Sequence, residues 1–235
     1  MNRLTVLQKI INKINAKTYL EIGVEKGKII SKIKAPYKIG VDPKFIFSFS
    51  VQLKRIFRLT KFKAIETTSN TFFQRDAPKL LPNGVDVAFV DGLHTYQQSL
   101  QDIEYCLQYL NSNGFIIVHD CNPLNAAIAW PVKESIQEVI ALANKGEVAG
   151  WNGAWTGDVW KAIAHLRIKH NDLEIFTLDL DWGLGIIRKG KNSQLQGFDV
   201  DQIQKADYSF FQKNREVLLN LKHPKFLDEF LSQLC

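Results

Sequence analysis

The sequence is poor in cysteine and contains no long apolar run. Its three cysteines, Cys106, Cys121 and Cys235, are scattered, and none has metal-ligand spacing to another. This argues against a disulfide framework and a cysteine-based zinc site, and it favours reduced thiols. No stretch reaches the roughly 18 apolar residues of a membrane span, and the N-terminus has no signal-peptide pattern. We therefore expect a cytoplasmic protein.

Acidic residues are scarce near the N-terminus. Residues 1–63 contain fifteen lysines and arginines but three acidic residues. This positive field favours an anionic substrate or surface, although a solvated helix face would have the same composition. No nucleic-acid-binding motif accompanies the charge, so no specific nucleic acid partner is expected. Residues 44–63 combine six basic residues with aromatic ones, which predicts either a surface helix over a sheet or a peripheral membrane contact.

The length of 235 residues and the apolar content of 46% suit one α/β domain over residues 1–235. Apolar periodicity predicts helices within residues 1–17, from near Lys28, over 126–145 and in a C-terminal tail over about 206–235. Short apolar runs predict strands at Thr18–Val24, Tyr37–Val41, Lys63–Thr67, Val85–Val90, Phe115–Val118, Glu174–Leu180 and Leu184–Arg188.

Polar residues follow the two apolar strands of a predicted strand, helix, strand unit. Asp91 follows the first strand, and His119 and Asp120 follow the second, after a helix that Asn113-Gly114 is expected to end. The carboxyl ends of parallel strands bind ligands in open α/β sheets. With His94, these residues could chelate a divalent cation or divide acid and base roles. Alternatively, the two aspartates only cap turns.

A glycine turn follows the first predicted strand. Glu21, Gly23 and Gly27 form E-x-G-x-x-x-G, and the next strand ends in Asp42. Glycine allows a cofactor to approach the backbone, and an acid at this distance suits the hydroxyls of a ribose. The alternative is that Asp42-Pro43 is simply a turn.

Two further groups of polar and aromatic residues are candidates. Ser69 and Asn70 form a polar turn after the third strand, where they would face the same edge of the sheet. Trp155 and Asp158 lie in a tryptophan-rich segment, which suits either a substrate entrance or a core.

Four strings carry a resemblance to a known family. DGLHTY (91–96), HDCNP (119–123), GDVWKAI (157–163) and DLDWGLGIIR (179–188) are similar to those of class I S-adenosylmethionine (SAM) dependent methyltransferases. The resemblance implies a Rossmann-like α/β fold with a seven-stranded sheet, in the order 3-2-1-4-5-7-6 with strand 7 antiparallel. It also implies that SAM is bound by Glu21, Gly23, Gly27, Asp42, Ser69, Asn70 and Asp91.

Within this family, the chain looks most like metal-dependent sugar O-methyltransferases of the macrocin type. That likeness implies O-methylation of a sugar or glycan hydroxyl, with Asp91, His119 and Asp120 as metal ligands and His94 as base. The cation is left open between Mg²⁺ and Mn²⁺, because imidazole suits Mg²⁺ poorly. A non-catalytic SAM-binding module, a hydroxylase-like branch of the fold and a homo-oligomer also stay open. Expected substrate contacts are Tyr96, Trp155 and Asp158.

Overall fold

The computed structural model describes residues 1–57, 59–132, 135–191 and 195–234. Its strands are β1 (Thr18–Ile22), β2 (Tyr37–Asp42), β3 (Lys63–Glu66), β4 (Val85–Val90), β5 (Leu110–Val118), β6 (Leu173–Leu178), β7 (Leu184–Lys189) and β8 (Leu221–Lys222). Its α-helices are α1 (Arg3–Lys13), α2 (Phe49–Ile56), α3 (Ser69–Thr71), α4 (Ala77–Leu80), α5 (Tyr96–Tyr109), α6 (Ile136–Asn144), α7 (Trp160–Lys169), α8 (Val200–Lys205), α9 (Tyr208–Leu219) and α10 (Phe226–Ser232), and a π-helix (Phe72–Asp76) joins α3 to α4.

The strands form one sheet in the order β3-β2-β1-β4-β5-β7-β6-β8. β1 is parallel to β2 and β4, and β2 is parallel to β3. β6 and β7 are antiparallel, with the residue pairs running from Leu173 with Lys189 to Leu178 with Leu184. The predicted α/β fold, strand order and antiparallel strand 7 are therefore confirmed, and the short β8 extends the edge.

The chain divides into two compact units. Unit 1 contains residues 1–92, 102–117 and the C-terminal residues from Leu227, and unit 2 contains residues 93–101 and 118–226. The expectation of a single domain stays a prediction. None of the described helices is both long and apolar enough to cross a bilayer.

Each unit has an apolar core that follows from its sequence pattern. In unit 1, β4 is apolar except at Asp86, as expected of a strand covered on both faces, and its last four residues are buried. The amphipathic helix α1 buries Val6, Leu7, Ile10 and Ile11, and Asn2 caps it by accepting a hydrogen bond from the Thr5 N–H. In unit 2, α7 is buried over most of its length, and Trp160 packs on Phe211 with ring centroids 4.7 Å apart.

Several predicted helices differ from the structure. No helix begins near Lys28: the backbone turns there, and the β-branched pair Ile29-Ile30 disfavours helix. The predicted helix over 126–145 is helical only over Ile136–Asn144, where Glu138 accepts from the Ser135 N–H; residues 133–134 of that prediction lie outside the described residues. The C-terminal tail is not wholly helical, because β8 interrupts it.

The Asn113-Gly114 pair does not end a helix. α5 ends at Tyr109, and β5 includes both residues. A Cβ on Gly114 would lie 2.7 Å from the Leu110 side chain and 3.0 Å from the Asp86 carbonyl oxygen. Glycine is therefore needed at this position for the close approach of neighbouring chain segments.

Candidate functional site

The two units contain different sets of candidate residues. Unit 1 contains every predicted cofactor-binding residue, and unit 2 contains the predicted base and the predicted substrate residues together with His119 and Asp120. The first set is Glu21, Gly23, Gly27, Asp42, Ser69, Asn70 and Asp91; the second is His94, Tyr96, His119, Asp120, Trp155 and Asp158.

The turn after β1 requires glycine at residue 23. Gly23 has a φ of +85°, and a Cβ at this position would lie 1.9 Å from the carbonyl oxygen of Asp91. The Gly23 N–H donates to the Val41 carbonyl oxygen at 2.9 Å. Gly23 therefore brings the ends of β1, β2 and β4 together, which the sequence argument about cofactor approach did not anticipate.

Asp42 connects the glycine turn to the loop after β2. Its Oδ2 accepts from the Glu25 N–H and its Oδ1 from the Lys44 N–H, both at 2.8 Å. These contacts fit the alternative reading of Asp42 as a turn residue. Its predicted role in accepting hydrogen bonds from ribose hydroxyls stays a prediction.

Glu21 is a buried acid near the end of β1. Burial raises its pKa to about 8, although the hydrogen bond from Tyr19 opposes this shift. The Tyr19 hydroxyl lies 2.6 Å from Glu21 Oε2, and burial followed by the charge of Glu21 raises the pKa of the tyrosine well above its ordinary value. Glu21 is therefore a protonated carboxyl inside unit 1 at neutral pH.

The remaining unit 1 candidates lie at the carboxyl ends of β3 and β4. Ser69 and Asn70 are half-buried in α3, which follows β3 and is capped by Thr68. Asp91 directly follows β4, its N–H donates to the Ile22 carbonyl oxygen at 2.8 Å, and its Oδ2 lies 3.5 Å from Arg3 Nη1. Arg3 was not predicted from the sequence, because nothing in its helical pattern distinguishes it from other basic residues.

His94 in unit 2 is held by hydrogen bonding at one ring nitrogen. Its Nδ1 lies 3.0 Å from the carbonyl oxygen of Trp155, and its ring packs against the Trp155 ring at 5.2 Å between centroids. A carbonyl can only accept, so Nδ1 carries a proton and Nε2 is the lone-pair nitrogen of the neutral ring. Nε2 lies 3.1 Å from Asp120 Oδ2. The Nε2 lone pair and the Asp120 carboxylate oxygen repel each other at 3.1 Å, so a proton or a cation must lie between or beside them.

A left-handed bend after β5 brings Asp120 and His119 together. Consecutive residues of a strand face opposite sides, but Asp120 has a φ of +62°, and its Oδ2 lies 3.0 Å from His119 Nδ1. The Nε2 of the buried His119 is 3.8 Å from Asp181 Oδ1. His119 thus lies between two carboxylates, and its predicted role as a metal ligand stays a prediction.

Gly157 fixes the backbone around His94. It has a φ of +56°, and a Cβ there would lie 1.9 Å from the His94 carbonyl oxygen. Its N–H donates to the Ile128 carbonyl oxygen at 3.2 Å, and the Trp155 indole N–H donates to the Trp130 carbonyl oxygen at 2.8 Å. The segment containing Trp155 therefore positions His94.

Asp158 and Tyr96, the other predicted substrate residues, make hydrogen bonds within unit 2. Asp158 Oδ1 accepts from the Tyr96 N–H at 2.7 Å at the start of α5, and its Oδ2 lies 3.4 Å from Lys161 Nζ. The Tyr96 hydroxyl lies 2.6 Å from Nδ1 of His165, whose pKa is lowered by burial. Sequence reasoning missed His165 because it lies inside an ordinary helical pattern. It also missed Asp181, although the string DLDWG was noticed.

The donor set suits a methyl donor and a divalent cation. SAM presents ribose hydroxyls and an amino group, and two carboxylates lie at strand ends in unit 1: Asp42 ends β2 and Asp91 follows β4. In unit 2, His94 Nε2 and Asp120 offer one imidazole and one carboxylate donor, a combination that suits Mn²⁺ or Fe²⁺ better than Mg²⁺.

Comparisons with known proteins bear on the family and on the fold. A family model for a methyltransferase domain matches residues 20–121. The chain is 31% identical over 171 residues to the uncharacterized protein R132 of Acanthamoeba polyphaga mimivirus, covering 66% of this chain and 75% of that protein.

Solved structures show the same fold at low identity. Cofactor-bound Rv0187 from MTB has a TM-score of 0.52 and 10% identity, covering 82% of each chain. The plantazolicin methyltransferase BpumL, solved with a substrate analog and S-adenosylhomocysteine (SAH), has a TM-score of 0.51 and 12% identity, covering 80% of this chain and 84% of that one. With the confirmed strand order, these comparisons show the Rossmann-like fold of SAM-dependent methyltransferases, and residues 20–121 match a methyltransferase domain.

Proposed function

We propose that this chain is a SAM-dependent methyltransferase that acts on a hydroxyl oxygen of a sugar or glycan, with His94 as the base and a divalent cation nearby. The orientation of His94 is the observation that carries the proposal. A base must present a lone pair to the acceptor hydroxyl, and the hydrogen bond to the Trp155 carbonyl oxygen leaves that lone pair on Nε2.

The cofactor side of the proposal rests on unit 1. SAM supplies the methyl group as an electrophilic carbon on a positively charged sulfur. Asp42 would accept hydrogen bonds from the ribose hydroxyls, while Gly23 allows the end of β1 to pack closely against the Asp91 backbone. Ser69 and Asn70, at the start of α3, would contact the adenosine.

A cation would stabilise negative charge as it develops on the acceptor oxygen, which imidazole alone cannot do efficiently because its pKa near 6.5 is far below that of a sugar hydroxyl. We assign Asp120 of unit 2 as a donor to this cation, because the lone pair of His94 Nε2 is needed for the base. His119 would orient Asp120, since its Nδ1 lies 3.0 Å from the same carboxylate oxygen that faces His94.

Calorimetry with SAM tests the cofactor assignment. The Asp42→Asn variant keeps the size of the side chain but loses its charge, so we expect SAM affinity to fall by roughly tenfold to a hundredfold. Glu66→Gln, which changes an acid at the end of the neighbouring strand β3, is the control. Tight binding of NAD in place of SAM would overturn the assignment.

Release of SAH in the presence of sugar and glycan acceptors tests the reaction. We expect His94→Ala to lower turnover by about a hundredfold to ten-thousandfold with SAM affinity unchanged, and His223→Ala, at an exposed histidine of unit 2, to leave turnover intact. Near-full turnover of the His94 variant would refute the base assignment. SAM binding without SAH release from any acceptor, with each metal added in turn, would favour the non-catalytic module.

A further inference from the structure

An exposed apolar surface lies on and beside α2 in unit 1. Phe49 is 76% exposed, Leu59 75% and Ile56 72%. Together with Ile46, Leu53 and Phe57 they form what we call the 46–59 surface. Monomeric proteins rarely leave so many large apolar side chains exposed in one segment unless the surface binds something.

The pattern along α2 is that of an amphipathic helix with its apolar stripe facing outward. Phe49, Leu53, Ile56 and Phe57 are spaced by three or four residues, so they share one side of the helix, whereas Val51 is buried. A helix that only covers a sheet would bury its apolar stripe. The exposed stripe therefore indicates a partner outside unit 1.

The charged residues of the segment that forms this surface are all basic, and the acidic residues Glu25 and Glu66 contact its N-terminal end at Ile46 and Phe45. No acidic residue occurs between Asp42 and Glu66, and Lys44, Lys61 and Lys63 are exposed around the apolar stripe. A symmetric dimer through this surface would place like charges against each other. An anionic bilayer offers an apolar interior and a negative surface together, and thus complements both features.

The surface is tied to the cofactor loop. The Ile46 N–H donates to the Glu25 carbonyl oxygen at 3.0 Å, and the Phe47 ring packs so closely on Gly27 that a Cβ there would lie 3.0 Å from it. The guanidinium carbon of Arg55 lies 4.6 Å from the centroid of the same ring.

We propose that the 46–59 surface docks on an anionic lipid bilayer. The apolar stripe of α2 enters the boundary between headgroups and acyl chains, and the surrounding lysines contact lipid phosphates. The docked protein presents the loops around Glu25 and Asp42 near the membrane surface.

Cosedimentation of the full chain with vesicles tests this proposal. Vesicles of equal parts phosphatidylcholine and phosphatidylglycerol should bind the protein, phosphatidylcholine alone should bind it weakly, and high salt should release part of it. Replacing Phe49 and Phe57 together by serine should reduce partitioning at least about tenfold. Lys44→Gln and Lys61→Gln should each reduce it about fivefold.

The matched control replaces two exposed apolar residues of unit 2, Ile140 and Val217, by serine. Unchanged partitioning of this control, with a normal melting temperature for all variants, supports docking through the 46–59 surface. Equal binding of the Phe49 and Phe57 double variant, or no binding to anionic vesicles, overturns it. Sedimentation velocity detects the rival occupant: a dimer that the serine substitutions abolish, without vesicle binding, assigns the surface to a second copy of the chain.

Discussion

Replacing Glu21 by glutamine should make the stability of this protein less dependent on pH. The carboxyl group is 2% exposed, and burial raises its pKa from 4.5 to about 8. The hydrogen bond from Tyr19 opposes this shift, and the nearby charge of Asp91 adds to it. The proton is retained because removing a charge from water costs more than one hydrogen bond returns.

The size of the effect follows from the difference between the pKa of Glu21 in the folded state and its pKa in the unfolded state. As pH rises, the unfolded chain releases the Glu21 proton first, so ionisation opposes folding from 4.5 up to the folded pKa of about 8. Each pH unit in this window costs about 1.4 kcal/mol of unfolding free energy. At neutral pH the accumulated cost is about 3 kcal/mol, and above the folded pKa it stays constant.

Urea unfolding at a series of pH values measures this effect. Glutamine keeps the size and an acceptor for the Tyr19 hydroxyl but cannot ionise. The variant should therefore match the wild type near pH 4 and exceed it by about 3 kcal/mol near pH 7. Glu104→Gln, at an exposed position of α5, controls for removal of a carboxyl group. A stability difference between Glu21→Gln and wild type that is the same from about pH 5 to about pH 8 would refute the reasoning.

Three other predictions concern the backbone and the cation. In urea unfolding, Gly157→Ala should destabilise the protein by about 3 kcal/mol or more, because it adds a clash with the His94 carbonyl oxygen to the strain of a left-handed residue. The control Gly153→Ala, which has open space around it, should cost only about 1–2 kcal/mol. Gly23→Ala should lower both unfolding free energy and SAM affinity, since the new Cβ would displace the Asp91 backbone; unchanged calorimetric affinity would contradict this. EDTA should reduce turnover at least about tenfold, with recovery on adding Mn²⁺, and a protein indifferent to EDTA would count against the cation.

Local pattern was sufficient to predict the sheet. β4 and the Phe115–Val118 part of β5 are short apolar runs because they are buried, and β1 and β2 are mostly apolar for the same reason. Such runs need no tertiary information to be recognised. The antiparallel direction of β7 was predicted from the family resemblance. Helices were harder: the chain after Gly27 and residues 126–129 have apolar residues at suitable intervals, but both segments form turns.

The sequence by itself determined which acids and histidines lie at the ends of the parallel strands, because strand ends follow from the apolar runs. Only the tertiary structure decided what these residues contact. The Trp155 carbonyl that sets the proton of His94 lies 61 positions further along the chain, and the buried partners that raise the pKa of Glu21 are brought around it by folding. The outward orientation of the apolar stripe of α2 was also undecided, since a helical period fixes which residues share a side but not whether that side is buried.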